Sequence, residues 1–492
     1  MNTRSVRASL VADGSSQSEI RNPTSEARNS KFEILIAGGL MFAVAFTALA
    51  LGSVEAWSVA LFELVVVVIL LLWATQAIVE RRLEVYFPAA ALPLAAFVLL
   101  GLIQSIGIGG NGRTASLSMD VEATRGASTV IFFLFACFLI ASNFFRTSEK
   151  LRSLTNFLIV FGLALAVFAL IQHFTWEGRL FWFRPMPVAG AGTGGPFVNR
   201  NHFAGYMEML IPIPLALALS RAVRLEARLI YAFAAAIMGI AELASLSRGG
   251  LVSLAFGLLF LAIMSARLKR DDSHSVKRSS FIFQPALLIG AMAAAIVAGV
   301  VWVGADLDIM RRVANDPLTT GAVMDRQAVW EDTLKMFSAH PILGVGLGAF
   351  ETVYPIYGRG NGTFVIQFAH NDYLQVLADG GIVGGALALW FIIAVFRDFA
   401  HGTKSRDPFL SALALGGGAG IAAILVHSLF DFNLQLPSNA LLCLVLAAVV
   451  ANTAKGEEQR TKRMSATMRP HFRFEDLEIW QLAKPWLSVC IS

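Results

Sequence analysis

Long, unbroken apolar runs recur along this chain and constrain its fold more than any other feature. Twelve of them stand at 32–51, 56–79, 86–106, 126–143, 153–173, 203–219, 229–246, 250–265, 285–304, 380–396, 409–429 and 438–453; the eighth is short. A helix needs about 17–25 such residues to cross the hydrocarbon of a bilayer. The expected fold is an all-α polytopic integral membrane protein with about 12 transmembrane helices. Composition agrees: 15% of residues are charged, against about 25% in soluble domains.

The first 31 residues are polar and lack a charged, apolar and small-residue cleavage pattern, so they read as a disordered tail rather than a signal peptide. Residues 32–453 form the membrane domain, and 454–492 a second tail whose stretch 474–484 has an amphipathic helical pattern of its own. Lys and Arg set the orientation. With the N-terminus inside, the inward connections carry Arg81, Arg82, Arg146, Lys150, Arg152, Arg224, Arg228, Arg397, Lys404 and Arg406, whereas the outward turns 52–55 and 430–437 carry none. Both termini are then cytoplasmic. Three outward segments remain, 107–125, 174–202 and the long loop 305–379. Connections of that last length are usually functional.

In the long loop, Trp330, Leu334 and Phe337 recur at helical spacing while Glu331, Asp332 and Lys335 face elsewhere. This predicts an amphipathic helix from Arg326 to Ala339, ended by Pro341 and followed by Gly344, Gly346 and Gly348. A second short helix is expected over 372–378, capped by Asn371 or Asp372, with Gly380-Gly381 separating it from the next span. Both read as helices near the outer membrane surface, covering a cavity.

The chemistry-bearing residues fall on this outward side. Arg248 sits between two spans with almost no loop. It is either an interfacial arginine reaching for water or a phosphate ligand, the latter helped by Gly249-Gly250 allowing close backbone approach to the ligand. Arg326 opens the loop helix, where Asp325 could be its ion-pair partner. His370 could merely flank a helix; Asn371, Asp372 and Tyr373 beside it are candidate orienting groups for a general base. Asn199, Arg200, Asn201 and His202 form a second polar cluster that lines the same cavity or caps a helix. Glu63 and Glu242 should face the bundle interior, and His427 and Asp431, four apart, could pair.

The three cysteines and eight histidines show no close ligand spacing, so no metal site and no disulfide framework is suggested. There is no nucleotide-binding loop, no cofactor motif and nothing that calls for nucleic acid. Arginines around a membrane-level cavity suit a bidentate grip on phosphate, and energy would have to arrive in the substrate, for example as a lipid pyrophosphate leaving group.

At these residues the chain resembles the O-antigen ligase and polysaccharide polymerase superfamily of bacterial inner-membrane proteins. The pieces that carry the likeness are Phe197-Val198-Asn199-Arg200-Asn201-His202-Phe203-Ala204, the Ser247-Arg248-Gly249 turn, Arg326 with Trp330 continuing through Pro341, Gly344, Gly346, Gly348 and Phe350, and Ala369-His370-Asn371-Asp372-Tyr373-Leu374-Gln375 with Gly380-Gly381. The resemblance implies a metal-independent membrane glycosyltransferase with its site on the periplasmic face. It would take a glycan from undecaprenyl pyrophosphate and pass it to lipid A–core, as a ligase does, or to another lipid-linked glycan, as a polymerase does. It further implies that Arg248 and Arg326 hold the pyrophosphate and that His370 activates or orients the acceptor hydroxyl. Asn199, Arg200, His202, Asn371 and Tyr373 are then expected to bind substrate. The competing classes are a transporter of lipid-linked glycans and a membrane scaffold. No internal repeat of the transporter kind is visible.

Overall fold

The computed structural model describes residues 23–108, 115–185, 194–220, 222–271, 326–359 and 365–468. Within them the chain is an all-α polytopic membrane protein, with ten helices long and apolar enough to cross a bilayer. In chain order the helices are α1 (Pro23–Leu49), α2 (Ala56–Glu80), α3 (Ala91–Gln104), α4 (Val121–Phe144), α5 (Ser148–Phe174), α6 (Arg200–Leu210), α7 (Pro212–Leu219), α8 (Leu225–Ala244) and α9 (Arg248–Asp271). They continue as α10 (Arg326–Ala339), α11 (Phe350–Tyr357), α12 (Asp372–Gly402), α13 (Pro408–His427) and α14 (Pro437–Met468). Two-residue hairpins, β1 (Gly107–Ile108) with β2 (Ala115–Ser116) and β3 (Arg179–Leu180) with β4 (Arg184–Pro185), are the sheet among the described residues.

Eleven of the twelve expected spans meet a helix; the run 285–304 lies outside the described residues, as do 305–325 and 474–484. The third is shorter than its apolar run. Pro88 cannot continue a helix, so the chain enters extended and α3 starts at Ala91. Asn143 satisfies the extended backbone as a second strand would, accepting from Tyr86 N at 2.7 Å and donating to Tyr86 O at 3.0 Å. The sixth span is two helices, because Pro212 and Pro214 interrupt the hydrogen-bond ladder beyond Leu210.

The centre of the bundle is α13 and the membrane part of α14, buried almost all round and rich in Gly, Ala and Leu. Helices apolar on every face belong in such a position, and small residues let their backbones approach. Against this pair pack α6, α7, α9, α4 and α12.

The helix from Arg326 to Ala339 is present, and its inward face corrects the expectation. Val329, Asp332, Thr333 and Met336 are buried, while Leu334 is exposed. The buried stripe thus contains a carboxylate, which the apolar spacing hid. Asp332 is tied to Lys335 Nζ at 2.8 Å and, across the loop, to Arg359 Nε at 2.9 Å and Arg359 N at 3.1 Å. The second loop helix is the first part of α12, broken at Gly381 (φ 62°, ψ −159°). The break frees N–H groups that bond instead to the preceding loop, Ile382 N to Pro341 O at 2.8 Å and Val383 N to Ile342 O at 3.2 Å.

Candidate active site

Six chain segments converge at one end of the bundle: the N-termini of α6, α9, α10 and α12, the end of α13, and the turn 428–436. Asn199 caps α6, its Oδ1 accepting from Asn201 N at 2.9 Å. Asn371 caps α12 through Tyr373 N at 3.0 Å and Leu374 N at 3.1 Å. This is the short polar side chain such a position favours. His370, just before the cap, has φ 51°. A non-glycine residue held in the left-handed region is uncommon and tends to mark functional positions.

The carboxylate of Asp431 joins these pieces. It is 1% exposed. His370 Nδ1 lies 3.1 Å from its Oδ1, and Asn201 Nδ2 donates to its Oδ2 at 2.6 Å. Arg326 approaches Oδ2 at 3.8 Å while donating to Phe430 O at 2.7 Å. Burial would push this carboxyl up. The hydrogen bond with His370, together with the nearby charges of His202, His370 and Arg326, outweighs burial and holds it well below the ordinary carboxylate range. An ionised Asp431 at Nδ1 fixes the tautomer of His370 with the proton there, leaving Nε2 as the basic nitrogen.

Phe432, next in the chain, receives the ring edges of His370 and His202, each at 4.8 Å, and stacks on Phe368 at 4.5 Å. His202 is buried, and its backbone carbonyl accepts from Asn439 at 3.0 Å. Arg200 and Arg248, at the starts of α6 and α9, are close enough to repel each other. Two guanidinium groups brought together in this way suit an anion lying between them.

Several expected contacts differ. Asp325 lies outside the described residues, and Arg326 is paired with Asp431. Asp372 does not orient His370. It accepts from Ser428 Oγ at 2.8 Å, Leu434 N at 3.1 Å and Gln435 Nε2 at 3.3 Å, and so pins the turn that presents Asp431. Asn371 Nδ2 and Tyr373 Oη donate to Leu429 O and Leu425 O, at 3.1 and 2.7 Å. The side chains of His427 and Asp431 do not pair; their link is a backbone bond, Asp431 N to His427 O at 3.1 Å, and the Asp431 carboxylate turns to His370. His427 instead meets buried Glu208 at 3.1 Å. The Gly249-Gly250 pair lets α9 approach protein rather than ligand: a Cβ on Gly249 would come within 3.0 Å of His427 Nε2, and one on Gly250 would strike Ala204.

Residues 233–389 match a family model described as O-antigen ligase. The resemblance to the O-antigen ligase superfamily is borne out. No curated protein matches the chain. The matched segment runs from α8 into α12 and contains Arg248, Arg326 and His370; Asn199, Arg200, His202 and Asp431 lie outside it. An O-antigen ligase match supports a ligase- or polymerase-like role in polysaccharide biosynthesis. Among the described residues, no group of three or more His, Cys, Asp and Glu side chains is arranged to hold a metal ion.

Asp431 was the residue missed as a site member. The signal was available, since Asp431 stands in the polar turn between two apolar spans. Its sequence distance from His370 concealed the pairing.

Proposed function

We propose that the protein transfers a glycan from a polyprenyl diphosphate donor to an acceptor hydroxyl, with the His370–Asp431 pair as the base and the arginines as the diphosphate grip. The observation that carries this reading is the hydrogen bond of His370 to a buried carboxylate that also meets Arg326. A base and a cation are thereby held on one anchor.

In the proposed step, the acceptor O–H gives its proton to His370 Nε2 as its oxygen attacks the anomeric carbon. The bond from that carbon to the diphosphate oxygen breaks, and the electron pair leaves with the lipid diphosphate. Charge grows on that leaving oxygen, so fixed guanidinium donors favour the transition state over the ground state. Arg326, Arg248 and Arg200 are assigned this role, and Asp431 stabilises the imidazolium formed at His370. Asn199, His202, Asn371 and Tyr373 shape the surroundings.

The outward orientation is supported by charge. The ends of α4 and α12 and the starts of α5 and α8, opposite the site, carry Arg146, Lys150, Arg152, Arg224, Arg228, Lys404 and Arg406, as the inside face of a membrane protein does. The site is thus assigned to the periplasmic face of a bacterial inner membrane, and both termini to the cytoplasm. Ligation to lipid A–core is the leading reading, and repeat-unit polymerisation uses the same donor chemistry.

The test is His370→Ala in cells, with lipid-linked glycan assayed by leaflet. Loss of product with donor accumulating on the outer leaflet is expected. Accumulation on the inner leaflet would mark a transporter, and undiminished product would overturn the assignment.

A further inference from the structure

Gln375 belongs to the polar stretch that opens α12 but takes no part in the step described above. It is 1% exposed and stands one turn beyond Asn371, its N bound back to Asn371 O at 2.9 Å. Both ends of its amide are engaged. Oε1 accepts from Ala369 N at 2.8 Å, and Nε2 donates to Asp379 Oδ2 at 3.0 Å. One neighbour is an N–H and the other a carboxylate, so a single orientation of the amide satisfies both. A hydrocarbon in its place would leave the N–H of Ala369, a fully buried residue, without a partner.

The bond to Ala369 matters because of where it falls. Ala369 precedes His370, whose φ of 51° is held only where the surroundings over-determine it. Beyond His370, Asn371 caps α12 and Asp372 N donates to Ser428 O at 2.9 Å. The chain entering His370 is therefore fixed by Gln375, and the chain leaving it by the helix and the turn 428–436. Clamped on both sides, the imidazole keeps Nδ1 on Asp431 at 3.1 Å.

Asp379, itself 5% exposed, anchors the far end of the amide. Its Oδ2 also accepts from Gly348 N at 3.2 Å, and its backbone carbonyl accepts from Gly346 N at 3.1 Å and Gln104 Nε2 at 2.9 Å. Gln104 returns to the same turn, accepting from Leu347 N at 3.0 Å. The approach is close: Gly344 has φ 70°, and a Cβ there would strike the Asp379 carbonyl. This glycine turn follows α10, the helix that Arg326 opens. Hydrogen bonds thus run without a break from the turn after α10 to the backbone entering His370.

We infer that Gln375 is a positioning residue for His370, tying the base through Asp379 to the glycine turn that follows α10. The inference rests on the transfer reading above and adds a residue that acts through the base. Gln375 holds one backbone N–H, and it enters the reaction only through the direction of the imidazole.

The experiment measures kcat and donor KM for glycan transfer by the full-length protein in proteoliposomes with radiolabelled donor. Gln375→Met, similar in length but unable to make either bond, should lower kcat about 10–100-fold, the scale of a slightly misplaced reacting group, with donor KM within about twofold. In the His370→Ala background the same change should cost less than about twofold more, because a residue acting only through His370 has nothing left to act on. Gln375→Glu keeps an acceptor for Ala369 N and loses the donor to Asp379. It should fall between wild type and Gln375→Met, and it gives the reading in the same cycle should the first variant fail to fold. Wild-type kcat in both variants, a loss carried by donor KM rather than kcat, or an equal loss in the His370→Ala background would overturn the inference. Transfer lost in His370→Ala but intact in the Gln375 variants rejects this inference alone. Undiminished transfer in His370→Ala rejects the transfer reading and this inference with it.

Discussion

His370 Nδ1 lies 3.1 Å from Asp431 Oδ1, although 61 residues separate the two in the chain. Asp372 makes this meeting possible: it binds Ser428, Leu434 and Gln435 and so holds the turn carrying Asp431 against the start of α12. The proposed base and its orienting group are therefore set by one buried carboxylate acting on the backbone and side chains of a turn. Substitution of Asp431 by Asn keeps the size and a hydrogen-bonding group but removes the charge that fixes the imidazole tautomer. Glycan transfer should fall about 10²–10⁴-fold, the range found when a buried carboxylate is removed from behind a catalytic histidine or a general base is lost. Transfer assayed with purified protein in proteoliposomes checks this.

The same carboxylate predicts a pH dependence of stability. Its folded-state pKa is depressed, so its contribution is fully present above the unfolded carboxyl value of about 3.9. It is lost as pH falls through the lower folded value. At neutral pH and in mild acid Asp431 stays ionised. The Tm gap between wild type and Asp431→Asn in detergent should be wide at pH 7 and should narrow only in acid below about pH 4. A gap that closes between pH 7 and 5 would place the controlling titration on another group.

Much of the bundle was legible because the bilayer demands length and hydrophobicity, and those read directly from 32–51 or 409–429. Local rules also sufficed where a cap or a breaker acts on its neighbours, as with Asn371 at α12 and Gly381 within it. Long-range partners were not legible. Nothing near Asp431 announces His370, and nothing near Asp332 announces Arg359. The apolar spacing of Trp330, Leu334 and Phe337 even pointed to the wrong face of α10, because its buried side joins Val329 and Met336 to an ion-paired carboxylate, Asp332.

That ion pair makes α10 sensitive to a single change. Asp332 is 1% exposed and receives Lys335 and Arg359 together. Burial raises its carboxyl, but the hydrogen bonds from Lys335 and Arg359 and their charges bring it below its ordinary value. Asp332→Ala removes the buried partner of Arg359, leaving it the exposed Glu331 at 2.7 Å, and should cost about 1–3 kcal/mol locally, the scale for breaking a buried hydrogen-bonded group. Hydrogen exchange should then quicken across 326–339, where Arg326 begins, and remain unchanged in α13. Uniform protection in both helices would mean that the pair is not what docks α10.

Gly381 links the loop to the site by its backbone. Its φ of 62° and ψ of −159° fall in a region reserved almost wholly for glycine, and a Cβ there would run into the Ile342 carbonyl. Gly381→Ala should destabilise the protein by about 1–3 kcal/mol, through strain and the loss of the bonds from Ile382 and Val383 to the 341–342 carbonyls. The variant should show a lower Tm and faster exchange at Ile382 and Val383. Wild-type values for both would mean that the break is not needed to dock the loop.

Arg248 offers the sharpest distinction between an interfacial arginine and a ligand. Lysine keeps the charge and the reach but replaces a planar fork with a point charge. If the guanidinium grips diphosphate, Arg248→Lys should lower kcat/KM for the lipid-linked donor by roughly 10–100-fold, within the range for removing one fixed donor at a developing charge. The acceptor KM should move less than the donor's, because the role proposed for this guanidinium is on the donor diphosphate. Arg326→Lys should behave in the same direction, with an added loss from its bond to Phe430 O. Normal donor turnover in Arg248→Lys would return that arginine to the membrane interface and leave the diphosphate to Arg200 and Arg326.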